Sequence, residues 1–263
     1  MKTVITLLTD FGIQDSFVAE MKGVILSICP DATLVDISHD IGKFNIRMGA
    51  FVLASATRYF SSGAIHIAVV DPRVGSSRRP IAIETNQSLY VGPDNGLLIP
   101  AAVRDGIRHV YELTNRSLMR EPISATFHGR DVFAPVGAHL ALGIAAKEVG
   151  PEITDYVPLS LSELKFDRRS AIGEVSHIDG FGNVVTNIPE RLLRRLDASG
   201  KLIVSIRGMR HSARFVRTYS ELHDKELGVL VGSHGFVEIA FKEASAAKRI
   251  GVRIGDPLRV RSA

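Results

Sequence analysis

Three clusters of polar residues interrupt apolar runs where strands would end. Val69-Val70 runs into Asp71-Pro72, then Val74-Gly75-Ser76-Ser77 and Arg78-Arg79. Thr6-Leu7-Leu8-Thr9 runs into Asp10-Phe11-Gly12, and Thr126-Phe127 into His128-Gly129-Arg130-Asp131. Ligands of open α/β sheets bind just beyond the carboxyl ends of the strands. An acid, a guanidinium and an imidazole at such positions, Asp71, Arg78 and His128, can form one site, and an enzyme is the leading reading.

Each group has a plainer alternative. A carboxylate–guanidinium pair such as Asp71 with Arg78 can hold a water and bias its proton, or be a structural ion pair. His128 can be a base, a hydrogen-bond donor or a capped loop histidine. A carboxylate at Asp10 can accept both hydroxyls of a ribose, or cap a helix. The turn at Asp10 lacks GxGxxG, so a nucleoside without a pyrophosphate suits it better than NAD. Asp94 and Asn95 shape a tight turn in Pro93-Asp94-Asn95-Gly96.

Farther along, Asp179-Gly180-Phe181-Gly182-Asn183 precedes Thr186-Asn187. Gly182 frees the backbone to approach a ligand. Asn183 offers a donor and an acceptor to a purine edge, and Phe181 a stacking face. A plain turn is the alternative. Gly232-Ser233-His234-Gly235 is a second loop of this kind. The histidines are scattered; no HxH, HExxH or multi-Cys spacing points to a metal, and no GxSxG points to a serine nucleophile.

The elements that must position these groups fall into two halves. Strands are expected at Val4–Leu8, Thr33–Ile37, Ala64–Val70, Ile81–Glu84, Leu89–Val91 and His109–Glu112. Helices are expected at Phe17–Ile28, Ile46–Tyr59, Leu97–Val103 and Phe133–Glu148. The last has Gly137, Ala138, Ala141 and Gly143 at close-packed positions. Strands alternating with helices predict a mostly parallel sheet covered on both faces, with Ile81–Val91 a hairpin attached to it. Past about residue 160 the pattern becomes short strands punctuated by Gly and Asp: Ala171–Ile178, Leu202–Ile206, Ala213–Phe215, Val229–Val231, Phe236–Phe241 and Pro257–Val260. Only Pro189–Leu196 and Glu243–Arg249 read as helical there. This half predicts a small antiparallel barrel or sandwich. The expected division is an α/β domain over 1–160, a linker over 161–169 and a β domain over 170–263.

The 263 residues suit two domains of ordinary size, and 45% hydrophobic with 23% charged residues is the profile of a soluble folded protein. The net charge is only +4. Arginines cluster at Arg191, Arg194 and Arg195 and again from Arg207 to Arg217. No aromatic or glycine-rich nucleic-acid module accompanies them, so solvated faces explain them and no nucleic-acid partner is expected. The single cysteine, Cys29, excludes an internal disulfide framework. Asp10 stops the first apolar run too early for a secretion signal, and no run reaches the roughly 18–20 apolar residues that span a bilayer. The expectation is a cytoplasmic protein without a membrane partner.

Taken together, the motifs have a family likeness. The chain resembles the S-adenosyl-L-methionine (SAM) hydrolases, or SAM hydroxide adenosyltransferases, relatives of the fluorinase and chlorinase enzymes. The likeness rests on Leu8-Thr9-Asp10-Phe11-Gly12 with Asp15, Met21-Lys22-Gly23, Val35-Asp36-Ile37-Ser38-His39, Val69-Val70-Asp71-Pro72 and Arg78-Arg79. It continues through Pro93-Asp94-Asn95-Gly96-Leu97-Leu98, Phe127 to Pro135, Phe181-Gly182-Asn183 with Thr186-Asn187, and the loop at Ser233.

The resemblance implies a Rossmann-like first domain and an antiparallel β-barrel second domain. It implies a homotrimer in which the ligand sits between the first domain of one subunit and the second domain of its neighbour. The implied reaction is hydrolysis of SAM to adenosine and methionine, without metal or cofactor and with an expected leaning to the (R)-sulfonium epimer. The family's catalytic Asp, Arg and His fall on Asp71, Arg78 and His128, and its ribose-binding Asp on Asp10. Asp15 and Ser233 match contacts to the amino-acid portion of the substrate, and Asn183 with Phe181 the adenine site. Asn95 joins the binding set, and Phe44 lies where the halogenating relatives place an aromatic beside the nucleoside. Those relatives carry a small hydroxyl residue where this chain has Gly129 and lack the Asp, Arg and His set, so hydrolysis is favoured over halogenation. Arg73 replaces the family's usual glycine, and Gly232 its usual asparagine. A SAM- or adenosine-binding sensor with little turnover is the alternative.

Overall fold

The computed structural model describes residues 3–160, 163–167, 169–196 and 200–263. The chain divides into two compact units, Met1–Ser160 and Leu161–Ala263.

In the first unit, strands β1 (Val4–Thr9), β2 (Thr33–Ser38), β3 (Ile65–Val69), β4 (Pro80–Thr85), β5 (Leu89–Pro93) and β6 (Ile107–Glu112) form one sheet in the order β2-β1-β3-β5-β4-β6. The first four in that order run parallel, and β4 is antiparallel to both its neighbours. The expected hairpin is therefore the β4–β5 pair. Helices α1 (Phe17–Ile28), α2 (Ile46–Thr57), α3 (Ile99–Asp105) and α4 (Ala134–Ala141) complete the unit.

Strand alternation sorts the core into two clusters. Ile5, Leu7, Ile65, Ile67 and Val69 pack with α1 and α4, whereas Leu8, Ala68 and Val70 pack with α2 and α3. A sheet whose strands are apolar on both sides requires this double cover. Because β1 and β3 are sealed on both faces, their polar followers, Asp10 and Asp71, emerge only where each strand leaves the sheet.

The helix expected over Phe133–Glu148 is shorter. A π-helical turn, Gly129–Phe133, leads into α4, which ends at Ala141 because Gly143 turns the chain with φ +96°. Ala146–Val149 is a separate 3₁₀ turn. Gly137 is a close-packing position, since a Cβ there would lie 2.5 Å from Ile67 Cδ1, whereas Gly143 faces open space.

The second unit contains β7 (Lys165–Phe166), β8 (Ser170–Ile178), β9 (Val184–Pro189), α5 (Glu190–Leu196), β10 (Lys201–Ile206), β11 (Met209–Phe215), β12 (Leu227–Val231), β13 (Phe236–Phe241), α6 (Ala246–Ile250) and β14 (Pro257–Ser262). The sheet order is β14-β10-β11-β12-β13-β9-β8-β7, and a β14–β8 ladder closes it into a barrel. Every described ladder is antiparallel except β11–β12, which runs parallel. Leucines of α5 and alanines of α6 join the barrel core. Two strands escape the sequence pattern, β7 and β9. Of the linker expected over 161–169, Leu161, Ser162 and Arg168 lie outside the described residues, and β7 occupies part of the rest. Among the described residues no helix is long and apolar enough to cross a membrane.

Candidate active site

Asp71, Arg78 and His128 converge in the first unit. Asp71 stands two residues past β3, and Asn95 Nδ2 holds that exit by donating to Val70 O at 2.9 Å. Residues 72–77 then fold back. Val74 N donates to Asp71 O, Ser76 N and Oγ both donate to Arg73 O, and Arg78 N donates to Ser76 Oγ at 3.2 Å. Gly75 makes this hairpin possible. It has φ +76°, and a Cβ would sit 2.3 Å from Ala125 O. Arg73 supplies the loop with a carbonyl, while its side chain is exposed.

The fold-back lays the Arg78 guanidinium against the Asp71 carboxylate at two points, Nε to Oδ1 at 3.2 Å and Nη2 to Oδ2. Both side chains are nearly sealed, 3% and 4% exposed. The ring of Phe133 lies under the guanidinium, 5.4 Å from Cζ. Nη2 also reaches Nδ1 of His128 at 3.2 Å, and Nη1 is buried with no hydrogen-bond partner among the described residues. An orphaned donor on a buried cation is costly unless an acceptor reaches it. Burial, then the Arg78 charge, lowers the His128 pKa below its ordinary value, against opposing pulls from Asp71 and Asp131.

His128 sits immediately before the π-helical turn, and Asp131 locks that turn. The Asp131 carboxylate is fully buried. It accepts from Ser124 N at 2.9 Å and from Arg130 Nε and Nη2 at 2.7 and 2.9 Å. Arg130 in turn reaches Glu20 on α1 at 2.9 Å. Arg130 and Asp131 thus brace the loop; reading the sequence motif alone did not assign them this role.

Asp10 lies past β1 and is buried. It does not cap α1. Its Oδ2 accepts from Phe44 N at 2.8 Å, and its carbonyl accepts from Lys43 Nζ. Phe44 takes the left-handed φ of +63° and is 68% exposed, an uncommon combination for a bulky residue. Asn95 is committed on both sides of its amide, since Oδ1 also accepts from Leu97 N. It positions the β3 exit. Asp15 and Ser233 are exposed on their respective units, and no contact among the described residues ties either to the groups above.

The second unit contains a pocket of about 510 Å³ lined by Asp179, Phe181, Asn183, Tyr219, Phe241 and Ser245, among others. Asp179 organises its loop. Oδ1 accepts from Phe181 N and Asn183 N at 2.9 and 2.8 Å, and Oδ2 accepts from Asn183 Nδ2 at 2.9 Å. Phe181 is left 84% exposed at the rim while Asn183 is buried. Gly182 is required where the loop passes α6: φ is +84° and a Cβ would lie 2.1 Å from Ser245 Oγ. Thr186 and Asn187 serve the barrel, Thr186 Oγ1 donating to Val237 O and Asn187 Oδ1 accepting from Glu174 N. In the arginine clusters, Arg194 pairs with Glu190 and Arg214 with Glu226. Among the described residues no group of three His, Cys, Asp or Glu side chains is placed to hold a metal ion.

Comparison with known proteins gives a consistent result. Residues 5–150 match the SAM hydroxide adenosyltransferase N-terminal domain, and residues 173–259 the C-terminal domain of the same family. The chain is 41% identical to the (R)-S-adenosyl-L-methionine hydrolase of Salinispora tropica, over 97% of each chain. It is 27% identical to the fluorinase of Nocardia brasiliensis, over 99% of this chain and 97% of that one. A crystal structure of an uncharacterized conserved protein from Thermotoga maritima superposes with a TM-score of 0.93 at 36% identity, over 97% of this chain and 99% of that one.

Proposed function

We infer the function from one premise: this chain belongs to the SAM hydroxide adenosyltransferase family. It is a SAM hydrolase that converts S-adenosyl-L-methionine and water to adenosine and L-methionine. The names of its relatives support a preference for the (R)-sulfonium epimer.

Methionine leaves the sulfonium as a neutral thioether, so no acid and no metal is needed to stabilise a departing anion. The difficulty lies with the nucleophile, because water is weak unless held in line with the C5′–S bond. Positioning of that kind contributes several kcal/mol. The observation that carries this reading is the sealed Asp71–Arg78–His128 set with Arg78 Nη1 left as an unused donor. Nη1 and His128 Nε2 orient the water oxygen by donating to it. The oxygen bonds to C5′ as the C5′–S pair returns to sulfur. Asp71, the anionic member of the set, takes the proton the oxygen then sheds.

Asp10 fixes the ribose through the carboxylate oxygen that Phe44 N does not occupy. In the second unit Phe181 stacks on adenine and Asn183 reads its edge, while Asp15 and Ser233 contact the amino-acid portion. The family likeness supports a homotrimer in which first-unit and second-unit groups from neighbouring subunits complete each site. A cytoplasmic enzyme is part of the same reading, consistent with a single free cysteine.

The test is incubation of the purified protein with each sulfonium epimer and chromatography of the products. Equal amounts of adenosine and methionine are expected, faster from the (R) epimer. Adenosine binding without turnover would instead make the protein a sensor.

A further inference from the structure

The barrel strand β13 carries one acid, Glu238, within the otherwise apolar Phe236–Phe241. Glu238 is 5% exposed. A buried carboxylate costs free energy that an apolar side chain of similar volume does not, so it is expected where it holds something in place. What Glu238 holds is visible: the Tyr219 hydroxyl donates to Glu238 Oε1. Tyr219 begins a one-turn 3₁₀ segment, Tyr219–Glu221, is 45% exposed, and lines the pocket that also contains Phe181 and Asn183.

The room for that carboxylate comes from residue 232. Gly232 opens the β12–β13 turn, its N–H donating to Phe236 O at 2.9 Å. A Cβ on Gly232 would lie 2.5 Å from Glu238 Oε2. The glycine is thus needed for space and not for an unusual φ. A side chain there requires the Oε2 end of Glu238 to shift, and with it the carboxylate that holds Tyr219.

We propose that Glu238 is a positioning residue that pins Tyr219 as a wall of the nucleoside pocket, and that Gly232 keeps clear the space Glu238 needs to do so. This rests on the reading of the pocket as the adenine site. The pinned ring is pre-organised, so less side-chain freedom is lost when the nucleoside binds. Burial raises the Glu238 pKa against the opposing hydrogen bond from Tyr219, with a further rise from the Asp179 charge, and burial and Glu238 raise that of the Tyr219 phenol. In the adenine-site reading these residues flank the base and not C5′, so the effect belongs in binding more than in chemistry.

The experiment measures SAM turnover, adenosine affinity by calorimetry and thermal midpoint for four single variants and one double. Tyr219→Phe and Glu238→Leu each weaken adenosine binding and raise KM by about 3- to 10-fold, the worth of one hydrogen bond. In both, kcat changes much less. Glu238→Leu melts at the same temperature as wild type or higher, which a merely structural acid would not do. Glu238→Gln, which still accepts from the hydroxyl, restores most of the affinity. Gly232→Ala weakens binding in the wild-type background but adds little to Tyr219→Phe, because the two act through one contact.

Unchanged affinity in Tyr219→Phe, or additive losses with Gly232→Ala, overturns the proposal while the hydrolase reading stands. A wild type that binds adenosine without turnover, with the same pattern among the variants, keeps the proposal and removes the hydrolase. A wild type that neither turns over SAM nor binds adenosine removes both.

Discussion

Nη2 of Arg78 lies 3.2 Å from Nδ1 of His128, and a guanidinium has only hydrogens to offer. Nδ1 must therefore be the acceptor, so the neutral ring carries its proton on Nε2. In the proposed mechanism His128 is therefore a donor toward the nucleophile and not its base. The same guanidinium holds Asp71, so one arginine sets the orientation of both the anion and the imidazole. The proposed mechanism therefore gives the proton to Asp71.

Asp71→Asn tests that division of labour. The amide keeps the shape of the carboxylate but cannot take a proton. We expect kcat to fall by about 10²–10⁴-fold, the range for loss of a positioned general base. Adenosine affinity, measured by calorimetry, should stay within about 3-fold, since the group faces the water and not the nucleoside. Both Asp71→Asn and Asp71→Ala remove the countercharge of the buried Arg78, a change that costs up to about 3–5 kcal/mol, but asparagine keeps an acceptor for the guanidinium and is the cleaner probe. Full activity in Asp71→Asn would end the assignment.

The pH–rate profile reports His128. Its pKa is lowered, so the neutral ring persists below 6.5 and the rate should hold as pH falls through that value. The acid limb should appear only when Nδ1 gains a proton and two donors, His128 and Arg78, face each other. A limb centred at 6.5 or above would contradict the geometry.

A second histidine sets acid stability. His66 on β3 is fully buried, with Nδ1 2.8 Å from Thr6 Oγ1 and its ring 4.9 Å from that of Tyr90. Burial pushes its pKa down from 6.5 to about 4. The unfolded chain binds this proton and the native state refuses it. The contribution is therefore intact above pH 6.5, is lost as pH falls and levels off near 4, a change of ~3 kcal/mol. Denaturant melts of wild type and His66→Leu across this window should diverge in slope, the variant being flatter.

Asp10 and Asp71 were legible in the sequence because apolar runs announce strands, and a polar residue directly after a run must emerge at a sheet edge; His128 was picked out by the same argument, but Thr126-Phe127 is loop and not strand, and His128 is placed by the helical turn that begins at Gly129. Helix α1 was legible for the same reason, from its periodic apolar face. Helix α4 was misjudged in length: the small residues around Gly143 look continuous, yet Gly143 turns the chain while Gly137 packs on Ile67. Strand β9 was missed because Thr186 and Asn187 interrupt its apolar run, and the bonds that fix them in the barrel, to Val237 O and from Glu174 N, do not show in the local pattern. The bracing by Asp131 was invisible because it depends on how the Ser124–Asp131 loop folds back on itself, and the pinning by Glu238 because it depends on a side chain from another element, Tyr219. The one available signal for Glu238 was a lone acid in an apolar strand.

Gly75→Ala tests the loop that returns Arg78 to Asp71. The left-handed φ and the 2.3 Å approach to Ala125 O leave no room for a methyl group. We expect a loss of about 1–3 kcal/mol in stability, as for strained backbone elsewhere, together with a fall in kcat as Arg78 is displaced. A variant that melts and turns over like wild type would show that the hairpin can relax without moving the site.

The most direct test of the whole account is turnover of SAM in heavy-oxygen water, with mass spectrometry of both products. Attack of water at C5′ predicts one heavy oxygen in the 5′-hydroxyl of adenosine and none in methionine. Label in the amino-acid product, or cleavage that leaves adenosine unlabelled, would contradict it.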